Sequence, residues 1–150
     1  MFRYLFRVRY GECDAQKVVF NSRYGDYTDI SVVEFLRASG LQGQMVTGPY
    51  DYQLVKQTVE WKAPARFDQV IEASVGVKHL GNTSFTLIVE FRIAGDPKII
   101  ATSETIYVLM LQHSLEKAPL TEELRAALRE GAALKVTDHA DYLKSAGVGQ

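Results

Sequence analysis

The stretch Arg23-Tyr-Gly-Asp-Tyr-Thr-Asp-Ile-Ser-Val-Val-Glu-Phe-Leu-Arg-Ala-Ser39 decides the architecture. Tyr24, Tyr27, Thr28, Ser31 and Phe35 recur at helical spacing, and Ile30, Val32, Val33 and Leu36 widen the same face. Only Asp26, Asp29 and Arg37 remain as a narrow polar stripe. Asn21 or Ser22 is placed to cap the start, and Gly40 is a natural stop. A helix apolar over so much of its circumference needs other structure wrapped around it.

The flanks supply that structure. Upstream, Phe2, Tyr4, Phe6, Val8 and Tyr10 alternate with Arg3, Arg7 and Arg9, the period of a strand with one buried face. Downstream, Val55, Gln57, Val59, Trp61 and Ala63 alternate with Lys56, Thr58, Glu60 and Lys62 until Pro64. Ile71, Ala73, Val75 and Val77 form the next run, Gly81-Asn82 offers a turn, and Phe85, Leu87, Val89, Phe91 and Ile93 follow. After a second turn at Gly95-Asp96-Pro97, the run from Ile99 to Leu111 is apolar on both sides beyond Thr105, as a central strand requires. Thr121, Glu122 and Glu123 begin a short helix, and residues from about 135 to 150 are expected to be weakly ordered. The order predicts one α+β domain over residues 1–150, a five-stranded antiparallel sheet curled around one long helix. The open edges of such a sheet predict self-association, as a homodimer or a homotetramer.

Composition narrows the function classes. With 47% hydrophobic and 23% charged residues and a net charge of -1, the chain lacks the basic excess of a nucleic-acid binder. No apolar run approaches the roughly 20 residues needed to span a bilayer. The start, MFRYLFRVRYGE, interrupts its aromatics with Arg and is not expected to act as a secretory signal. Cys13 is the only cysteine, so no internal disulfide forms, and no Cys/His pair has zinc-site spacing. A reducing, cytoplasmic setting without metal or cofactor is the expectation.

Chemistry concentrates in Tyr10-Gly-Glu-Cys-Asp-Ala-Gln-Lys-Val-Val-Phe-Asn-Ser-Arg-Tyr24. Asp14 lies seven residues ahead of Asn21, in the loop that leads to the helix start. Amides at a helix N-terminus lack partners and carry partial positive charge, so they can hold a carbonyl and the oxyanion that develops on attack. A carboxylate beside them can activate water or attack the carbonyl itself. Loop aspartates also commonly cap turns, so spacing alone leaves both readings open.

This segment resembles the thioesterase family that includes 4-hydroxybenzoyl-CoA thioesterase and the YbgC-type acyl-CoA thioesterases. Their pattern of aromatic, acidic stretch, Asp, hydrophobic pair, aromatic and downstream Tyr is carried by Tyr10, Glu12, Asp14, Val18, Val19, Phe20 and Tyr24. A second similar block is Val59-Glu-Trp-Lys-Ala-Pro-Ala-Arg-Phe-Asp68, and a third is Gly81-Asn-Thr-Ser-Phe85. The resemblance implies a hotdog fold and hydrolysis of acyl-coenzyme A (CoA) thioesters. It implies that Asp14 is general base or nucleophile, that the Asn21 amide polarises the thioester carbonyl, and that Tyr24, Val19, Phe20 and Asp29 face the acyl group. The only coenzyme it implies is the CoA of the substrate, with an acyl carrier protein as an alternative donor.

Two departures bear on mechanism. YbgC-type members carry His where this chain has Asn21, and Asn cannot shuttle a proton near neutral pH. Ala15, Gln16 and Lys17 stand where the family has Pro or small residues. A non-catalytic acyl-CoA binder is therefore kept as the alternative. Phosphates need cations or amides, for which Lys62, Arg66, Lys78, Gly81 and Asn82 are candidates, with solvated strand-edge residues as the plain alternative. Cys13 has no neighbouring His in sequence and reads as a small apolar filler. Of the helix carboxylates Asp29 and Glu34, Asp29 is the better candidate, while His79, His113 and His139 read as surface or hairpin residues. A hotdog dehydratase is disfavoured because no His-Phe-Pro-like context is present.

Overall fold

The computed structural model describes residues 1–147. Strand β1 (Phe2–Arg7) runs into a 3₁₀ turn at Tyr10–Glu12, followed by α1 (Arg23–Ala38) and the short α2 (Gln42–Met45). Strands β2 (Tyr50–Trp61), β3 (Val70–Leu80), β4 (Ser84–Ile93) and β5 (Ile99–Leu111) come next, then α3 (Glu122–Glu130), β6 (Val136–Asp138) and α4 (Tyr142–Ser145). One sheet has the order β2-β5-β4-β3-β1-β6, antiparallel except where β6 lies parallel to β1.

α1 packs on the concave face through aromatic contacts. Phe6 meets Tyr27 with ring centroids 4.7 Å apart, Tyr24 meets Phe91 at 5.5 Å, and Phe2 meets Phe35 at 6.2 Å. Thr28 and Ser31 are buried on the same helix, and each hydroxyl donates to the carbonyl one turn back, Tyr24 O at 2.7 Å and Tyr27 O at 2.6 Å. That makes the polar residues of the buried face acceptable in the core. The helix ends as its sequence predicts. Gly40 takes φ 76°, Leu41 N donates to Leu36 O at 2.8 Å and Gly40 N to Arg37 O at 3.1 Å, a Schellman arrangement.

The helix start differs from expectation. Ser22 holds the cap position in helical conformation, and neither its side chain nor that of Asn21 caps the helix. The amides of Arg23, Tyr24 and Gly25 instead close onto Phe20 O, Asn21 O and Ser22 O at 2.9, 3.3 and 3.2 Å.

Among the described residues the sheet has six strands, not five. Val136–Asp138 pairs with Arg3–Leu5 of β1, and Asp138 then accepts the amides of Ala140 and Leu143 at 2.9 Å each, which starts α4. Within the segment expected from about residue 135 to be weakly ordered, β6 and α4 form where the chain lies beside β1. The part of that expectation falling on residues 148–150 lies outside the described residues. Tyr10, expected on the inner face of the first strand, is 81% exposed because the 3₁₀ turn swings it outward. Among the described residues no helix is long and apolar enough to cross a membrane.

β2 forms the free edge opposite β6. It is exposed along most of its length, with Leu54, Val55 and Trp61 at 43%, 56% and 53%. A bulge at Leu54/Lys56 breaks the alternation that the sequence suggests there.

Candidate active site

Asp14 sits at the tip of a small hairpin. Cys13 and Val19 pair antiparallel, Asp14 N donates to Val18 O at 2.9 Å, and Lys17 N donates to Asp14 O at 2.9 Å. Lys17 closes the loop at φ 62°, the left-handed position where this loop type ordinarily takes Gly. Asp14 Oδ1 accepts Gln16 N at 2.8 Å, as an aspartate opening a tight turn does. Its second carboxylate oxygen has no hydrogen-bond partner among the described residues.

Two anchors hold this hairpin against the body. Val19 N donates to Ala65 O at 2.8 Å, tying it to the exit of β2, and Phe20 N donates to Glu12 O at 2.9 Å. Glu12 is itself buried. Its carboxylate accepts Arg9 N at 2.8 Å, the Arg9 guanidinium at 3.0 and 3.2 Å, and the Tyr27 hydroxyl at 3.0 Å. Desolvation pushes this carboxyl up, but the hydrogen bonds from Arg9 and Tyr27 outweigh it and hold the group below its ordinary value.

Between the hairpin, the start of α1 and the exit of β2 lies a cavity of about 450 Å³. Asp14 and Asn21 both line it, with Val18, Val19, Phe20 and Tyr24 on the hairpin and helix side. Trp61, Lys62, Ala63 and Pro64 form the opposite wall. The amides of Asn21, which lines the cavity, and of Ser22 beside it donate to no group among the described residues, so the helix start keeps unsatisfied donors. Trp61 Nε1 donates to Asn21 O at 3.2 Å and fixes that peptide. Tyr24 is 2% exposed, and burial pushes its phenol up to about 12, so it stays protonated at neutral pH.

Five of the residues singled out with Asp14 therefore meet at one cavity: Asn21, Val19, Phe20, Tyr24 and Lys62. Arg66 stands beside it, paired to Val18 across an antiparallel bridge. Others lie elsewhere. Asp29 lines a separate cavity of about 390 Å³ with Asp51, Tyr52 and Tyr107, where burial and then Asp26 raise its carboxyl. Lys78 and His79 line a groove beside the end of α3, with Lys78 Nζ 2.6 Å from Glu104 Oε2. Gly81 and Asn82 form the β3–β4 turn, where Gly81 N donates to Ser84 O at 2.7 Å and Asn82 O accepts Leu120 N at 2.9 Å. His139 contacts the Tyr4 hydroxyl at 3.1 Å, and no histidine lines the Asp14 cavity. Burial, then the Glu12 and Asp14 carboxylates, push the Cys13 thiol up, which keeps it un-ionised and a poor nucleophile.

Sequence reasoning missed Trp61, Ala63 and Pro64 as cavity wall and Glu12 as its anchor. Trp61 and Pro64 fall inside the second block of resemblance, but nothing in a strand pattern says which neighbour a residue at the strand's exit faces.

The thioesterase-like superfamily profile matches residues 8–128. A protein of Aquifex aeolicus (strain VF5) described as an esterase is 33% identical over 86 residues, 57% of this chain and 67% of its own length. The acyl-CoA thioester hydrolase YbgC of Escherichia coli O157:H7 is 31% identical over 85 residues, 56% of this chain and 63% of its own length. The matched segment thus spans about two thirds of these curated relatives. A gentisyl-coenzyme A thioesterase of known structure superposes with a TM-score of 0.73 at 25% identity, over 83% of this chain and 98% of that one. The profile match takes in the Asp14 hairpin, α1 and strands β2 to β5, and the fold agrees with it, so this chain belongs to the thioesterase-like superfamily as a hotdog-fold thioesterase of YbgC-like type.

Proposed function

We propose that the chain hydrolyses acyl-CoA thioesters to a free carboxylic acid and CoA at the Asp14 cavity. One observation carries the reading: Asp14, with an unengaged carboxylate oxygen, and Asn21, with an unengaged main-chain amide, line the same cavity, and the free amide of Ser22 is next along the chain. The thioester carbonyl oxygen points at the Asn21 and Ser22 amides, which strengthen their hold as negative charge develops on it. Asp14 removes a proton from the attacking water, or attacks the carbonyl itself to give an anhydride that water then opens. The tetrahedral intermediate collapses with expulsion of the CoA thiolate, which is protonated by solvent. No side-chain acid is required, because a thiolate is a good leaving group near neutral pH. Asn21 contributes through its main chain, and Tyr24 packs against the acyl group as a neutral phenol.

We infer that copies of the chain assemble through β2. Trp61 and Lys62, at the exit of this exposed edge, are part of the cavity wall. A second copy paired along β2 covers Leu54, Val55 and Trp61 and completes the cavity, giving a homodimer as the working unit. A reducing, cytoplasmic setting suits the single, half-buried Cys13.

The test is thiol release from a panel of acyl-CoA esters varied in chain length and aromaticity, with an acyl carrier protein thioester included. Asp14→Asn is expected to lower kcat by about 10²- to 10⁴-fold while ligand binding is retained. Absence of thiol release from every ester would overturn the reading in favour of a binding protein. A single turnover in heavy-oxygen water tests the nucleophilic role of Asp14: heavy oxygen in its carboxylate requires an anhydride opened by water at the aspartyl carbon.

A further inference from the structure

Around the Asp14 cavity the cations divide into two groups. Arg7, Arg9 and Arg23 are each ion-paired, with Asp68, Glu12 and Asp26. Lys17, Lys62 and Arg66 have no carboxylate partner among the described residues, and all three are exposed. Lys62 lines the cavity, Lys17 closes the Asp14 turn, and Arg66 pairs with Val18 between them.

Next to Arg66 stands an aromatic pair that the fold does not explain. Tyr10 and Phe67 are 81% and 50% exposed, with ring centroids 5.8 Å apart and planes at 88°. Phe67 N donates to Lys17 O at 3.4 Å, which sets the pair beside the Lys17 turn, with Arg66 next to Phe67 in the chain. An edge-to-face pair left in water, bordered by unpaired cations, matches a ligand that is both aromatic and anionic.

Resting on the thioesterase reading above, we propose that Tyr10 and Phe67 form the adenine platform for CoA. Lys17 and Arg66 take the phosphates of its 3′-phospho-ADP moiety, and the pantetheine arm runs along residues 62–66 to Asp14. Five residues separate Lys62 from Phe67, at most about 17 Å of extended chain, a span suited to the pantetheine arm. The β3–β4 turn offers less. Lys78 is committed to Glu104, Gly81 O accepts Arg125 Nη2 at 2.6 Å, and Gly81 N is bonded within the turn.

The experiment compares acyl-CoA with the S-acyl pantetheine of the same acid. Two double variants are used, Tyr10→Ala with Phe67→Ala and Lys17→Ala with Arg66→Ala. Each is expected to raise KM for acyl-CoA by about tenfold or more, the worth of one stacked base or of the lost phosphate contacts. KM for acyl pantetheine and kcat for both substrates should stay at wild-type values. Adenosine 3′,5′-bisphosphate should compete with acyl-CoA in the wild type and lose potency in both variants. Equal losses with both substrates, no loss with either, or a loss confined to an acyl carrier protein thioester would each overturn the proposal. If the wild type hydrolyses nothing, the thioesterase reading fails separately, and calorimetric titration with CoA still decides this one. Weaker CoA binding by the variants supports the platform, and unchanged binding removes it.

Discussion

Tyr27 donates its hydroxyl to Glu12 Oε1 at 3.0 Å inside the core, joining the middle of α1's first half to the segment that leaves β1. Because Glu12 O also holds Phe20 N, this one bond sets where the hairpin carrying Asp14 lies relative to the helix that carries Asn21. Removing the hydroxyl by Tyr27→Phe is expected to cost about 1 kcal/mol, and Glu12→Gln about 1–3 kcal/mol because the Arg9 guanidinium loses its anion. Urea unfolding at neutral pH measures both. The Glu12 carboxyl is depressed below 4.5, so its stabilising contribution is present above that value and is lost as pH falls through the lower, folded-state value. The stability gap between wild type and Glu12→Gln should therefore narrow in acid. A gap independent of pH would contradict the assignment.

If Asn21 works through its amide, its side chain is dispensable. Asn21→Ala keeps the peptide N–H and should lower kcat by less than about tenfold in the thiol-release assay. Losing a true oxyanion donor costs about 10²- to 10³-fold, so a fall of that size would transfer the role to the carboxamide.

Lys17 holds φ 62° without being glycine or asparagine. Lys17→Gly is expected to raise stability by about 0.5–1 kcal/mol, read by thermal or urea unfolding, because the strain on Cβ is relieved. The same change removes a phosphate ligand, so KM for acyl-CoA should rise as Tm rises. A rise in both quantities marks a residue kept for binding at the expense of its backbone.

The exposed edge of β2 predicts the assembly. Leu54→Lys with Val55→Lys places two charges on that edge and should shift a sedimenting dimer to monomer at micromolar concentration. A wild type that sediments as a monomer, or a double variant that stays dimeric, would exclude this face.

Much of this was legible in the sequence, and for identifiable reasons. The α1 face of Tyr24, Tyr27, Thr28, Ser31 and Phe35 is buried throughout, because a helix wrapped by a sheet imposes its period on every turn. Phe85, Leu87, Val89 and Phe91 are all 1% exposed or less, as an alternating central strand dictates. What failed depended on contacts distant in sequence. Val136–Asp138 is too short for periodicity to register and becomes a strand only because β1 lies beside it. β2 has an alternating sequence, yet most of it stays exposed because it is an edge strand that none of the described residues covers. Asp14 and Asn21 are close in sequence, so their pairing at one site is legible there. Trp61 reaches the same cavity from forty residues away, through a bond to a carbonyl that no side-chain pattern encodes.

That bond from Trp61 Nε1 to Asn21 O has a practical corollary. Trp61 is the only tryptophan, about half exposed, and its ring walls the cavity. Its emission is therefore a built-in optical gauge of occupancy: an acyl chain that displaces water from the indole should shift the fluorescence to the blue. Ligand residence on the protein can then be followed in real time without a label, even in variants that no longer turn over.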